Sequence, residues 1–287
     1  EDLVRRDFTI NALAINSDGE LIDIIDGYND IQQRIIRCVG DPKLRFQEDA
    51  LRILRALRLA STLNFQIEEK TALSIHSQSE LILKIAVERV VIEFQKILQA
   101  KNSSPILIEY QDVFAQFLPE IDTLSHEVIN CIDQCQNNEQ KMCLLYAFVT
   151  IEIATLSLKK LRYSNEFIQT VLDERVHLYQ IAHTDYELKK WLSISSANRV
   201  HDVLWLQSLL GLNQEALKQD SLIQEMIKND VCIHLKQLNV KGQDIINCGY
   251  KGSQIGEILN QILDKVMKNE LCNEKDAILS YVKKLHA

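Results

Sequence analysis

The run Glu48-Asp49-Ala50-Leu51-Arg52 sets a carboxylate and a guanidinium three residues apart. On a helix that spacing projects both side chains from one face, about 60° apart in azimuth. A carboxylate accepts a hydrogen bond from an exocyclic amine, and a guanidinium donates one to a ring nitrogen or a carbonyl. Cytosine presents its N4 amine beside N3, and adenine its N6 amine beside N1, so both bases match such a pair in the same sense. Guanine and uracil present a carbonyl and an N–H on that edge and meet two mismatches. An unpaired buried polar group costs about 1–3 kcal/mol, so two of them suffice to exclude a base. A bare pair of this kind also occurs as a surface ion pair worth a few tenths of a kcal/mol, and its surroundings decide between the two.

Those surroundings are basic. Lys43, Arg45, Arg52, Arg55 and Arg58 face only Glu48 and Asp49 between residues 43 and 58, which makes this the first place to look for phosphate. The chain as a whole carries a formal charge of −8, which excludes a wholesale nucleic-acid coat but not a local basic groove. Other chemical candidates are weaker. His201-Asp202 is a possible metal pair, but such a site needs further ligands, and nothing around His177 and His183 supplies a recognisable set. Cys131 and Cys135 lie one helical turn apart, but His126 would point off that face, and small buried thiols are common. The seven cysteines are odd in number and form no CxxC pair, which points to free thiols in a reducing cytoplasm. Tyr163 after Lys159 and Lys160, and Trp191 after Lys189 and Lys190, are candidate RNA contacts set against half-buried rings beside solvated charge.

The elements that must position these residues are helical. With 287 residues, 46% hydrophobic, only 8 Gly, 3 Pro and 6% aromatic residues, the chain has a core but too few turn-makers for many short strands. A mainly α, multi-domain fold is expected. Two short extended pieces, 10–16 and 20–25, flank Ser17-Asp18-Gly19 as a hairpin, which needs further partners to be stable. Asp41-Pro42 opens a helical series. The periodicity predicts helices over 49–61, 68–77, 88–99, 144–158, 164–182, 185–192, 197–210, 214–228 and 254–269. Asn102-Ser103-Ser104-Pro105 and the stretch 236–252 read as linkers. The longest apolar stretch, 143–151, is far short of the roughly 20 residues that cross a bilayer, so no membrane association is expected.

Four blocks occur in order: Arg5-Arg6-Asp7-Phe8-Thr9-Ile10-Asn11-Ala12 within EDLVRRDFTINALA; Asp23 to Gly27 with Asp30; Glu48-Asp49-Ala-Leu-Arg52-Ile-Leu-Arg55-Ala-Leu-Arg58; and Glu88-Arg89-Val90 with Glu93. Together they resemble the class II tRNA nucleotidyltransferases, the CCA-adding enzymes and their poly(A) polymerase relatives. The resemblance implies a catalytic head sheet followed by helical neck, body and tail. The expected divisions are 1–40 as the end of the head, 41–102 as neck, 103–235 as body and 236–287 as tail. Gly242, Gly249-Tyr-Lys-Gly252 and Gly256 resemble the family's C-terminal block, which grips the outer corner of tRNA. Gly252 before a helix would offer N–H groups to a phosphate.

Carried over residue by residue, the resemblance implies that Arg6 meets the nucleotide from the head while Asp49 and Arg52 read ATP and CTP. Arg55 and Arg58 would also contact the nucleotide. Steps of three residues drift around a helix, however, so Arg58 would lie nearly opposite Asp49 and reach by its length or serve packing. Arg5 and Asp7 would orient Arg6 and tie head to neck. Asp23, Gly27 and Asp30 would form the hinge, with a capped turn as the plainer reading of Asp30, and Glu88 and Arg89 would support the site. The implied activity is CCA addition to tRNA 3′ ends from CTP and ATP without a nucleic-acid template. A CC-adding or A-adding specialist, a poly(A) polymerase or a non-catalytic RNA-binding module are the alternatives. The implied cofactor is Mg²⁺, held in the family by two aspartates in a GSxxDxD context. That motif does not occur in the sequence, so its ligands are expected upstream, and this chain by itself is expected to be inactive.

Overall fold

The computed structural model describes residues 3–286. Glu1 and Asp2, which open the first motif, lie outside the described residues. Apolar residues on either side of the Ser17-Asp18-Gly19 turn pair as antiparallel strands β1 (Leu13–Ile15) and β2 (Leu21–Asp23), with Ala14 opposite Ile22. Gly19 supplies the positive φ of 83°, and the Asn16 side chain accepts from the N–H groups of Asp18 and Glu20. Helix α1 (Gly27–Gln33) follows and ends at Arg34 in the left-handed region. Strand β3 (Ile35–Ile36) then pairs in parallel with β4 (Gln66–Ile67), and a bridge between Phe8 and Cys38 fastens the chain start to this region.

Between β3 and β4 lie α2 (Pro42–Glu48) and α3 (Leu51–Leu63). Pro42 fits the first turn because its missing N–H is not needed there, and Asp41 accepts from the Lys43 N–H at 2.9 Å. Helix α3 buries Ile53, Leu54, Ala56, Leu57 and Ala60, the face its spacing predicts. Helices α4 (Glu69–Ser77) and α5 (Val87–Gln99) complete this layer. α5 packs on α3 and buries Phe94 against Phe114 and Phe117, with ring centroids 5.8 and 5.3 Å away.

The helical series continues through α6 (Ser104–Glu109), α7 (Gln111–Ala115), α8 (His126–Asn130), α9 (Asn138–Leu145), α10 (Ile151–Lys160) and α11 (Asn165–His177). The 102–105 stretch is not a loose linker. Ser103 and Ser104 are buried, and their hydroxyl and N–H groups converge on the Asp133 carboxylate. The single helix expected over 144–158 is broken. The buried Tyr146 puts its hydroxyl 2.9 Å from Ser157, its carbonyl accepts from Arg175 Nε, and Thr150 caps α10. Periodicity alone does not register such a break, because both halves bury the same kind of residue.

Residues 1–176 form one compact unit and 177–287 a second. The breaks expected after residues 102 and 235 fall inside these units. The second unit comprises α12 (Asp185–Ile194), α13 (Ala197–Leu209), α14 (Ala216–Lys228), α15 (Gly242–Asn247), α16 (Gln254–Met267) and α17 (Lys275–His286). Its core gathers Leu188, Leu204, Ile223, Ile262, Ile278 and Val282. Helix α15 lies within the stretch 236–252, which had read as a linker because of its three glycines. Gly252 has a φ of 60° just before α16. The described chain is 66% helix and 4% strand, the mainly α fold expected.

Candidate nucleotide-selecting site

The Glu48 to Arg52 run does not form one continuous helical face. Asp49 ends α2 in extended conformation, with φ −148° and ψ 102°, and so stands at the joint before α3. Its Oδ1 accepts from the Leu51 N–H at 3.1 Å, and its carbonyl accepts from the Arg52 N–H at 3.1 Å. The carboxylate therefore caps α3 as well as facing outward, which the simple three-residue spacing rule does not capture. Its Oδ2 lies 3.6 Å from a terminal nitrogen of Arg89. Glu48, Asp49, Ala50, Lys84, Ile85 and Arg89 line a cavity of about 500 Å³.

Arg52 is held by two bonds from one nitrogen. Its Nη1 donates to Glu48 Oε2 and to the Arg45 carbonyl, each at 2.8 Å. Its Nε and Nη2 make no hydrogen bond among the described residues, so the opposite edge of the guanidinium keeps its donors. The Arg52 side chain is 17% exposed. Glu48 also accepts from Arg45 Nη1 at 2.8 Å, and its carboxyl is held below the usual range first by the bond from Arg52 and also by Arg45. Arg45 Nη2 in turn donates to the Arg6 carbonyl at 2.7 Å. Arg45 and Glu48 stood in the sequence as members of a basic stretch and a motif. The Arg45 bridge to Arg6 joins residues 39 apart, a separation no local pattern reports, whereas Glu48 pairs at helical spacing on either side.

The other arginines have partners of their own. Arg55 Nε meets Asp7 Oδ2 at 2.5 Å, so Asp7 ties the chain start to α3. Arg58 Nε lies 2.7 Å from the buried Glu93, which Lys96 also meets at 3.2 Å. Arg58 thus meets α5 through an ion pair. Glu88 pairs with Arg162, and Arg5 and Arg6 are exposed.

Asp23, Gly27 and Asp30 form one connected corner. The Asp23 carboxylate accepts from the N–H groups of Gly27 at 2.9 Å and Tyr28 at 2.8 Å and starts α1. Those bonds, Tyr28 foremost, hold its carboxyl below the usual value. Gly27 is required by close approach, since a Cβ there would sit 2.2 Å from the Thr9 carbonyl oxygen. Asp30 does not cap a turn. It is buried, accepts from the Thr9 hydroxyl at 2.6 Å and pairs with Arg37 Nε at 3.0 Å. Arg37 is thus a structural member that sequence reasoning missed, because its partner lies seven residues away in another element.

The weaker chemical candidates resolve into structure. His201 Nδ1 lies 2.9 Å from Asp220 Oδ1, and Asp220 rather than a metal set is its partner. Cys131 and Cys135 direct their sulfurs to the carbonyls of Glu127 and Cys131, and burial pushes the Cys135 thiol up to about 12. Lys189 is buried on the Met267 carbonyl, and Trp191 is buried and stacked on His177, so neither offers an RNA contact. Tyr163 stacks on Phe167 at 4.7 Å. Among the described residues no three His, Cys, Asp or Glu converge to hold a metal ion. None of the described helices is long and apolar enough to cross a membrane.

Comparison with known proteins places this geometry in a family. Residues 1–37 match the poly A polymerase head domain, 64–124 the RNA and SrmB-binding site of polymerase A, and 133–282 tRNA nucleotidyltransferase domain 2. The CCA-adding enzyme of Lactococcus lactis subsp. lactis is 36% identical over 295 residues, covering 99% of this chain and 71% of the relative. That of Pediococcus pentosaceus is 34% identical, again over 99% of this chain and 72% of the relative. Among solved structures, the Bacillus stearothermophilus CCA-adding enzyme in complex with CTP superposes with a TM-score of 0.77 at 25% identity, over all of this chain and 74% of the other. A CCA-adding enzyme in complex with ATP gives 0.66 at 26% identity, over all of this chain and 72% of the other. A motif set, a helical architecture and whole-chain likeness agree, and the chain belongs to the CCA-adding enzymes, a family of nucleotidyltransferases.

Proposed function

We propose that this chain selects CTP and ATP for the stepwise addition of CCA to tRNA 3′ ends, with Asp49 and Arg52 standing in for a template. The observation that carries the reading is the state of Arg52. Its Nη1 is fixed by Glu48 and the Arg45 carbonyl, its Nε and Nη2 make no hydrogen bond among the described residues, and three residues before it Asp49 holds its carboxylate at the start of α3. A donor and an acceptor in fixed positions read the amine and ring nitrogen that cytosine and adenine share. Solved relatives hold CTP, ATP and, in the Thermotoga maritima enzyme, tRNA, which supports those ligands for this chain. Arg89, 3.6 Å from Asp49, is the charge that an incoming base must share or displace.

The reaction this selection would serve is in-line attack of an RNA 3′-oxygen on the α-phosphate with pyrophosphate leaving, for which a bound Mg²⁺ would supply charge stabilisation. Selection and positioning are the roles these residues support, and because the GSxxDxD pattern does not occur in the sequence, residues 1–287 alone are expected to bind nucleotide without turnover. The test is equilibrium binding of the four nucleoside triphosphates to the chain and to Asp49→Ala. Two mismatches of about 1–3 kcal/mol each correspond to at least roughly thirtyfold weaker binding of GTP and UTP. Equal binding of all four by the unaltered chain refutes the reading.

A further inference from the structure

Resting on that reading, we infer that Arg45 is the positioning residue that couples the Arg6 segment to the base-reading edge of Arg52. Both acceptors that fix Arg52 are under the control of Arg45. One is its own carbonyl, and the other, Glu48 Oε2, accepts from its Nη1. Its remaining arm, Nη2, holds the carbonyl of Arg6 at 2.7 Å. A displacement of the Arg6 backbone therefore pulls on Arg45, and through Glu48 and the Arg45 carbonyl it turns the plane of Arg52. The plane decides whether the Nε and Nη2 donors meet a base edge, since hydrogen bonds weaken steeply with angle.

The chemistry demands arginine at position 45. The bridge needs two donors on separate nitrogens held in a rigid plane, one aimed at a carboxylate and one at a carbonyl, and lysine presents a single mobile ammonium. The two guanidiniums are largely shielded, with the Arg45 and Arg52 side chains 14% and 17% exposed, while their shared carboxylate partner Glu48 is 53% exposed, and bonds to an ionised partner are stronger than neutral ones. A second tie, Asp7 to Arg55, fastens the same segment to α3 one helical turn beyond Arg52. Arg45 is then a lever between two fixed points, whereas a purely structural arginine would leave base choice untouched.

The experiment measures the dissociation constants of CTP, UTP, ATP and GTP for the chain and for Arg45→Gln, Arg45→Lys, Glu48→Gln and Asp49→Ala, with thermal melts to establish folding. Loosening Arg52 releases one base contact, so Arg45→Gln is expected to lower the UTP-to-CTP and GTP-to-ATP ratios about tenfold. Affinity for CTP should fall about tenfold with the lost contact, while that for UTP, which does not make it, should change less than about twofold. Arg45→Lys is expected to recover less than half of the lost ratio, and Glu48→Gln, which keeps the acceptor but not its charge, to show an intermediate loss. If Arg45→Gln does not fold, the Glu48→Gln and Arg45→Lys ratios decide. Ratios within about twofold of the parent in these variants, alongside a collapsed ratio in Asp49→Ala, overturn the role of Arg45 and leave the base-reading account intact. An unchanged ratio in Asp49→Ala overturns both.

Discussion

Removing either partner of the Asp30–Arg37 pair should have unequal effects, and the inequality follows from burial. The Asp30 side chain is 5% exposed and that of Arg37 40%. Arg37→Ala leaves a buried carboxylate with the Thr9 hydroxyl as its remaining side-chain donor, and it deprives Glu68 of a cation 3.5 Å away. Breaking a buried pair in this way costs about 3 kcal/mol or more. Asp30→Ala leaves a guanidinium that water can reach, and the main loss is the buried Thr9 hydroxyl, about 1–2 kcal/mol. At roughly 3 °C per kcal/mol for a unit of this size, Arg37→Ala should lower the melting temperature by about 9 °C and Asp30→Ala by about 4 °C. Differential scanning calorimetry of both variants at pH 7 reads the difference. An Asp30→Ala variant that melts as low as Arg37→Ala refutes the burial argument.

Three further outcomes are expected. Gly27→Ala places a Cβ 2.2 Å from a backbone oxygen that cannot yield without moving Thr9, so urea titration should show a loss at or above about 3 kcal/mol. Asp23 has its carboxyl lowered by the N–H groups of Tyr28, Gly27 and Ile25. Its stabilisation is thus complete above the ordinary aspartate value of about 3.9 and is lost as pH falls through the lower folded value, and an acid titration should show that loss in the parent and not in Asp23→Ala. Arg58→Ala leaves Glu93, 7% exposed, with Lys96 alone and should cost about 2 kcal/mol by chemical denaturation, whereas a cost below about 0.5 kcal/mol would mark Arg58 as free for the nucleotide.

Local pattern carried much of this molecule. The hairpin around Gly19 and the faces of α3 and α5 follow from alternation and helical period, signals that survive folding because each concerns neighbours in the chain. The family was legible for a different reason: four short blocks in order constrain one another in a way no single motif does. What escaped was everything set by distant partners. Asp49 leaves the helix because its carboxylate caps the next one, and Tyr146 breaks a helix because Ser157 and Arg175 claim its polar atoms. Arg45, Arg37 and Glu93 gain their roles from residues that only the fold brings near. Buried Lys189 and Trp191 show the same limit in reverse, since a lysine beside an aromatic reads as a surface until its carbonyl partner, here on Met267, is known.

The central claim is that Asp49 accepts from the exocyclic amine of the incoming base. A thermodynamic cycle tests it by pairing ATP with purine riboside triphosphate, which lacks the N6 amine, on the parent chain and on Asp49→Ala. The account predicts that the parent binds ATP about tenfold more tightly than the analogue, and that Asp49→Ala binds the two alike. An equal preference for ATP in both proteins would contradict it.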